Sequence, residues 1–173
     1  MGYQLVETIE VGSGGAASIE FTSIPQDGVD LRLVVSARSS GTFGIGINIK
    51  SLAITINNDT TTSNYLARNL RGTGSSVVSQ AIANYNNAGF LADSDSTANT
   101  FASNSIYFAN YTSAVSKSYS IDAVSETNAT ATGQGLWAYS YATTSPVTSL
   151  KALIPGDTFV QYSTASLYKI TAD

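Results

Sequence analysis

Apolar residues recur at every second position over most of the chain. Tyr3, Leu5, Ile9 and Val11 form the first row, interrupted only by Glu7. Ala17, Ile19 and Phe21 form the second, alternating with Ser18, Glu20 and Thr22. Val29, Leu31, Leu33, Val35 and Ala37 form a third, looser row. Gly12-Ser13-Gly14-Gly15 and Pro25-Gln26-Asp27-Gly28 separate them. Alternation of this kind, bounded by Gly, Pro and Asp, predicts three antiparallel strands with one buried face, opening as a hairpin.

The pattern then slips. Ile45, Ile47 and Ile49 alternate in one phase, and Leu52, Ile54 and Ile56 in the other. One extra residue near Lys50-Ser51 flips the buried face, so a β-bulge or strand break is predicted there. The glycine-rich stretch at 39–46 precedes it and reads as a turn. Residues 57–64 form a polar loop, and Tyr65 to Leu70 a short strand. Residues 77–85 fit two templates equally: Val77, Val78, Ala81, Ile82 and Tyr85 suit helical spacing, and the same stretch suits a strand. Residues 86–100 read as a long exposed loop. Strands resume from Phe101, around Tyr119 to Ala123, around Trp137 to Tyr141, around Leu150 to Ile154, and from Thr158 to Ile170. The prediction is therefore a single domain over residues 1–173. It is an all-β antiparallel β-sandwich, jelly-roll-like, with about eight to ten strands and at most one short helix. The long first and last strands are expected to lie near each other, central in their sheets or at a subunit interface.

Composition narrows the functional classes. Charged residues are 12% of the chain, about half the usual share near 25%. Ser, Thr, Asn and Gly fill the surface instead. The net charge is −4, and the eight Lys and Arg are scattered. Duplex nucleic acid needs clustered cations, so no nucleic-acid partner is expected. Arg68 and Arg71, three apart, are expected to pair locally with carboxylates such as Asp59. There is no cysteine and no histidine, which removes thiolate and imidazole chemistry. No run of about 18 apolar residues suggests a membrane span. MGYQLVETIE lacks the features of a secretory signal, so synthesis in a host cytoplasm with release by lysis is the expected route.

Candidate chemistry is sparse. No carboxylate pair stands out for glycosidase work. Asn57-Asn58-Asp59 and Asp93-Ser94-Asp95 gather oxygen ligands but lack the full calcium-loop pattern, so solvated turns are the plainer reading. Ser116-Lys117-Ser118 has no nucleophile-elbow context, and Lys117 reads as a loop lysine. No cofactor and no catalytic residue is predicted, so the chain reads as a non-enzyme. Trp137, Tyr139 and Tyr141 lie on one face of a strand. They read first as core or subunit interface, and second as a platform for sugar rings. The sequons at Asn58, Asn110 and Asn128 are read as chance in an Asn- and Thr-rich chain.

Three stretches carry a resemblance: "LVETIEVGSGGAASIEFTSIPQDGVDLRLVVSARSS", "TINNDTTTSNYLARNLRGTGSS" and "FVQYSTASLYKI". Their order resembles small β-sandwich virion structural proteins of tailed bacteriophages, of the capsid-decoration, head-fibre or tail-appendage type. The resemblance spans nearly the whole chain but rests on composition, and brings no catalytic residues with it. It implies a virion protein, most simply an exterior capsid decoration subunit acting as a homotrimer against the major capsid protein or tail components. The alternative is a tail-fibre module recognising host surface glycan. Contacts with glycan or partner would then come from Trp137, Tyr139, Tyr141, Asn58, Asp59, Asp93 and Asp95.

Overall fold

The computed structural model describes residues 2–42, 49–73, 76–128 and 132–172. Among these, twelve strands and one 3-10 turn at Thr62–Asn64 make up the regular structure. The strands are β1 (Gly2–Glu10), β2 (Ser18–Phe21), β3 (Asp30–Ala37), β4 (Ile49–Ile56), β5 (Tyr65–Thr73) and β6 (Ser76–Ala83). They continue as β7 (Asn87–Ala92), β8 (Ala102–Phe108), β9 (Lys117–Glu126), β10 (Thr132–Tyr141), β11 (Leu150–Leu153) and β12 (Thr164–Thr171). They form two antiparallel sheets. The larger has the order β1-β12-β3-β8-β9-β10-β5-β6, the smaller β2-β11-β4-β7. The architecture is an all-β sandwich, as the alternation predicted.

The core lies between the sheets. β9 and β10 alternate strictly between buried and exposed positions along their length. Leu31, Leu33 and Val35 of β3, Ile106 and Phe108 of β8, and Ala165 and Leu167 of β12 line the inner face of the large sheet. Ile19, Phe21, Leu52, Ile54, Ile56, Phe90 and Leu150 come from the small one.

The opening strands are not a hairpin. β1 pairs with β12, β2 with β11, and β3 lies between β12 and β8. The chain crosses between sheets at each early turn, which alternation along one strand cannot reveal. The two chain ends do meet, with Tyr3 opposite Ile170 and Ile9 opposite Ala165. However, β1 is an edge strand and not a central one. Its interrupted row is a bulge. The register shifts between Leu5 and Glu7, so Tyr3 and Leu5 stay on the outer face while Ile9 turns inward with Val6 against the core. A second irregularity falls between Ser51 and Ala53 of β4, close to the predicted slip. Ile45 and Ile47, which set the phase before it, lie outside the described residues.

Three further expectations are corrected and one open choice is decided. Among the described residues the strand count is twelve, not eight to ten. Residues 77–85 belong mainly to β6, an edge strand hydrogen-bonded to β5 from Thr73 opposite Ser76 to Leu66 opposite Ala83. Residues 86–100 are not one loop. β7 occupies their first part, and its consecutive buried residues Phe90, Leu91 and Ala92 hide the two-residue period. The last strand begins at Thr164, because Tyr162 takes a left-handed turn conformation (φ 68°) just before it.

Candidate functional site

The aromatic row of β10 faces the core. Trp137, Tyr139 and Tyr141 are 5%, 3% and 2% exposed, while Leu136, Ala138 and Ser140 face solvent. Register across the sheet sets Tyr119 opposite both Tyr139 and Phe108, and Tyr141 opposite Tyr65. The rings then stack as a ladder. Tyr119 and Tyr139 are parallel at 4.7 Å, Phe108 and Tyr119 stack at 4.9 Å, and Tyr65 tilts on Tyr141 at 4.9 Å. Each such pair contributes about 0.5–1.5 kcal/mol beyond its burial. Tyr139 and Tyr141 have no free face for a sugar, which corrects the stacking-platform reading for both. Burial raises the phenols of Tyr139 and Tyr119 above their usual range.

The Asn58 and Asp59 positions serve the turn. Asn57 and Asn58 both have left-handed backbones (φ 54° and 55°), and the Asp59 amide donates to the Ile56 carbonyl at 2.9 Å. Asn tolerates this conformation better than most residues. Asn110 and Asn128 also have positive φ, so turn geometry accounts for all three sequon asparagines. The Asp59 carboxylate accepts from the Asn64 side chain at 2.6 Å, the Thr61 amide at 2.8 Å and the Tyr141 hydroxyl at 3.0 Å. Burial pushes that carboxyl upward, but these hydrogen bonds outweigh it and hold it below the usual range. Asp59 therefore anchors the loop to the end of the aromatic ladder. It does not pair with Arg68 or Arg71, which lie on opposite faces of β5.

Asp93 and Asp95 are split by exposure, the first buried and the second open. Asp93 Oδ1 accepts from the Asp95 and Ser96 amides at 3.0 and 3.2 Å, closing its own turn. Among the described residues no group of three or more acidic, His or Cys side chains is placed to hold a metal. A residue that sequence reasoning passed over organises this loop. The Arg38 guanidinium donates to the carbonyls of Ser96 and Thr97 at 2.8 Å, of Ser94 at 3.2 Å, and to the Thr100 hydroxyl at 3.1 Å. Lys117 is likewise no loop lysine. It opens β9, is buried, and donates to the Ser113 carbonyl at 2.6 Å and to that of Val115. Burial lowers its pKa.

What remains open is a recess at one corner of the sandwich. It follows from unequal sheets. The small sheet ends at β7, whereas the large sheet continues past β10 to β5 and β6. The inner face of those last strands changes character where cover ends. Tyr65 and Ala67 are buried in the core, then Asn69 and Arg71 follow on the same face. Asn69 is opposite Trp137 on one side and Gln80 on the other. These residues, with Tyr85 and Phe90, line a cavity of about 320 Å³. Trp137 meets Phe90 edge-on at 5.0 Å and keeps one rim on the cavity.

Two polar atoms here have no hydrogen-bond partner although they are shut off from solvent: Asn69 Oδ1 and Arg71 Nε. An unmet buried polar atom costs about 1–3 kcal/mol. One wants a donor and the other is a donor, and they sit on adjacent inward positions of one strand. Of the predicted site residues only Trp137 reaches the recess. Asn69, Arg71 and Gln80 were missed, although the polar turn in the row Tyr65, Ala67, Asn69, Arg71 is visible in the sequence.

No protein-family model matches the chain, and no curated protein sequence does. Among solved structures, a variant fructofuranosidase from Schwanniomyces occidentalis, complexed with fructosylnystose, overlays 99% of this chain and 33% of its own. The identity is 7% and the TM-score 0.25. The chain spans about a third of that protein, and so loose an overlay carries no argument about activity.

Proposed function

We propose that the chain is a non-enzymatic structural protein of a bacteriophage particle, an exterior capsid decoration subunit that works as a homotrimer. The observation that carries this reading is the outer face of the large sheet. Outward positions on a solvated sheet are ordinarily polar. Here Leu66, Leu70, Leu136 and Val77 are exposed at the β10-β5-β6 end, and Tyr3 and Leu5 at the β1 end. Leu136 and Leu70 lie directly opposite each other. With Val77 they border a concavity of about 400 Å³. Tyr3, Tyr168, Val34 and Arg32 border another of about 260 Å³.

Two unlike apolar patches at opposite ends of one sheet suit a head-to-tail contact, which closes into a ring when the rotation between copies brings the third back to the first. A trimer would also cover the edges at β1 and β6. The carboxylates nearest to candidate chemistry, Asp59 and Asp93, are engaged in turn hydrogen bonds, which supports a non-enzymatic role.

The test is mass in solution by light scattering, followed by copy number on purified particles. A trimer that Leu136→Lys and Leu70→Asp convert to a folded monomer supports the reading. A clean monomer at micromolar concentration overturns the assembly, and a copy number far below that of the shell protein overturns decoration.

A further inference from the structure

The corner recess opens on the inner side of the large sheet, away from the outer leucines, with Arg71 bordering both it and the outer concavity. The geometry points to a binding site for an acidic saccharide, a sugar unit bearing a carboxylate, held between β5, β6 and β10. Asn69 is 6% exposed and its Oδ1 has no partner, so a ligand hydroxyl donating to it would complete it. Arg71 Nε is a donor without an acceptor, on the next inward position of the same strand. A molecule that presents a hydroxyl and a carboxylate side by side meets both needs.

Charge narrows the class. The lining contains the Arg71 guanidinium and no Asp or Glu. A guanidinium in a lining without carboxylates favours a carboxylate over a neutral hydroxyl and binds it in a paired, planar geometry, although Asp122 lies with Arg71 along the neighbouring outer concavity. The other walls are the edges of Trp137 and Phe90 and the ring of exposed Tyr85. Of these, the exposed Tyr85 ring can stack on the C–H face of a pyranose, while the two edges give apolar wall only. Gln80, opposite Asn69, supplies a further amide at the mouth. The cavity volume is near the lower end for ligand pockets, about 300–1,000 Å³, and fits a short stretch of sugar better than a large cofactor.

The test uses the protein's single tryptophan, which borders the recess. Tryptophan fluorescence and calorimetry would be followed during titration with galacturonate, trigalacturonate, maltotriose and sodium sulfate. The expected result is saturable binding of the acidic sugars, tighter for the trimer, weakened by salt and absent for maltotriose. Arg71→Gln should weaken it about tenfold or more by removing the charge-assisted contact, and Asn69→Asp should do likewise because it keeps the acceptor oxygen but sets a carboxylate against that of the ligand. Arg68→Gln makes the same charge change on the opposite face and should leave it unchanged. Gln80→Ala alters an exposed side chain, so it tests the site even if Asn69→Asp fails to fold. Equal binding of maltotriose, equal binding of sulfate, no response to any probe, or loss of binding in Arg68→Gln would each overturn the proposal.

Discussion

The side-chain amide of Asn104 makes both backbone hydrogen bonds of Phe90. Its Nδ2 donates to the Phe90 carbonyl at 2.8 Å, and its Oδ1 accepts from the Phe90 amide at 3.0 Å. Asn104 belongs to the inner face of β8 in the large sheet, and Phe90 to β7 at the edge of the small one. A buried side chain thus replaces the missing strand neighbour of β7 and ties the two sheets together. Gly89 allows the approach. It has φ 137°, and a Cβ there would lie 2.1 Å from Asn104 Oδ1.

Replacing Asn104 with Ala should leave the donor and the acceptor of Phe90 buried and unpaired. The expected loss is about 2–5 kcal/mol, read as a lower denaturation midpoint. Asn104→Asp is the sharper test. A buried carboxylate ionises reluctantly, and its protonated form can still donate to the Phe90 carbonyl. That variant should gain stability from neutral to mildly acidic pH, a gain that Asn104→Ala lacks. Identical pH trends in the two variants would contradict this account.

Arg38 should control the loop at 93–100. Arg38→Lys keeps the charge but loses the fork that reaches Ser94, Ser96, Thr97 and Thr100 together. A destabilisation of about 3 kcal/mol is expected, with amide exchange in that loop rising before the sheets open. Unchanged exchange there would show that the loop holds itself.

Six phenols tie stability to alkaline pH. Burial raises Tyr65, Tyr111, Tyr119, Tyr139 and Tyr141, and the hydrogen bond to Asp30 pushes Tyr107 up to about 12. An unfolded tyrosine ionises near pH 10. A phenol raised above that binds its proton more tightly in the folded state, so its stabilisation is complete below about pH 10 and is lost as pH climbs through the folded value. Stability should therefore fall above about pH 10. Phenolate absorbance should show a late step that coincides with loss of near-ultraviolet dichroism. Gradual ionisation with the fold intact would contradict the buried ladder.

Gly135 sits beneath the indole of Trp137. A Cβ there would lie 2.6 Å from Trp137 Cη2 and 3.3 Å from the Phe90 ring. Gly135→Ala should push the indole toward the recess, shift its emission, and cost about 1–3 kcal/mol. An unshifted emission maximum would mean that the ring is held by something other than this packing.

Much of the local structure was legible in the chain. Period-two rows identified β3, β8, β9, β10 and β12, because the pleat imposes its period on every strand with one buried face, whereas at the irregularity near Lys50 the extra residue lies in the facing strand β7. Continuous burial hid β7, and the apolar scatter of residues 77–85 mimicked a helix. For the site, the sequence identified Trp137 but had no means to separate it from Tyr139 and Tyr141, since all three share one face.

The sequence by itself determined the all-β class, the direction in which most side chains point and the absence of thiol and imidazole chemistry. Each follows from residue type or from spacing between near neighbours. The tertiary structure alone decided that β1 pairs with β12 and not β2, that Asn104 serves Phe90, and that Arg38 holds a loop more than fifty residues away. It also decided that eight strands lie over four, which leaves Asn69 and Arg71 beside Trp137 under an open corner. Those outcomes depend on which distant surfaces are buried together, and local periodicity carries no record of that choice.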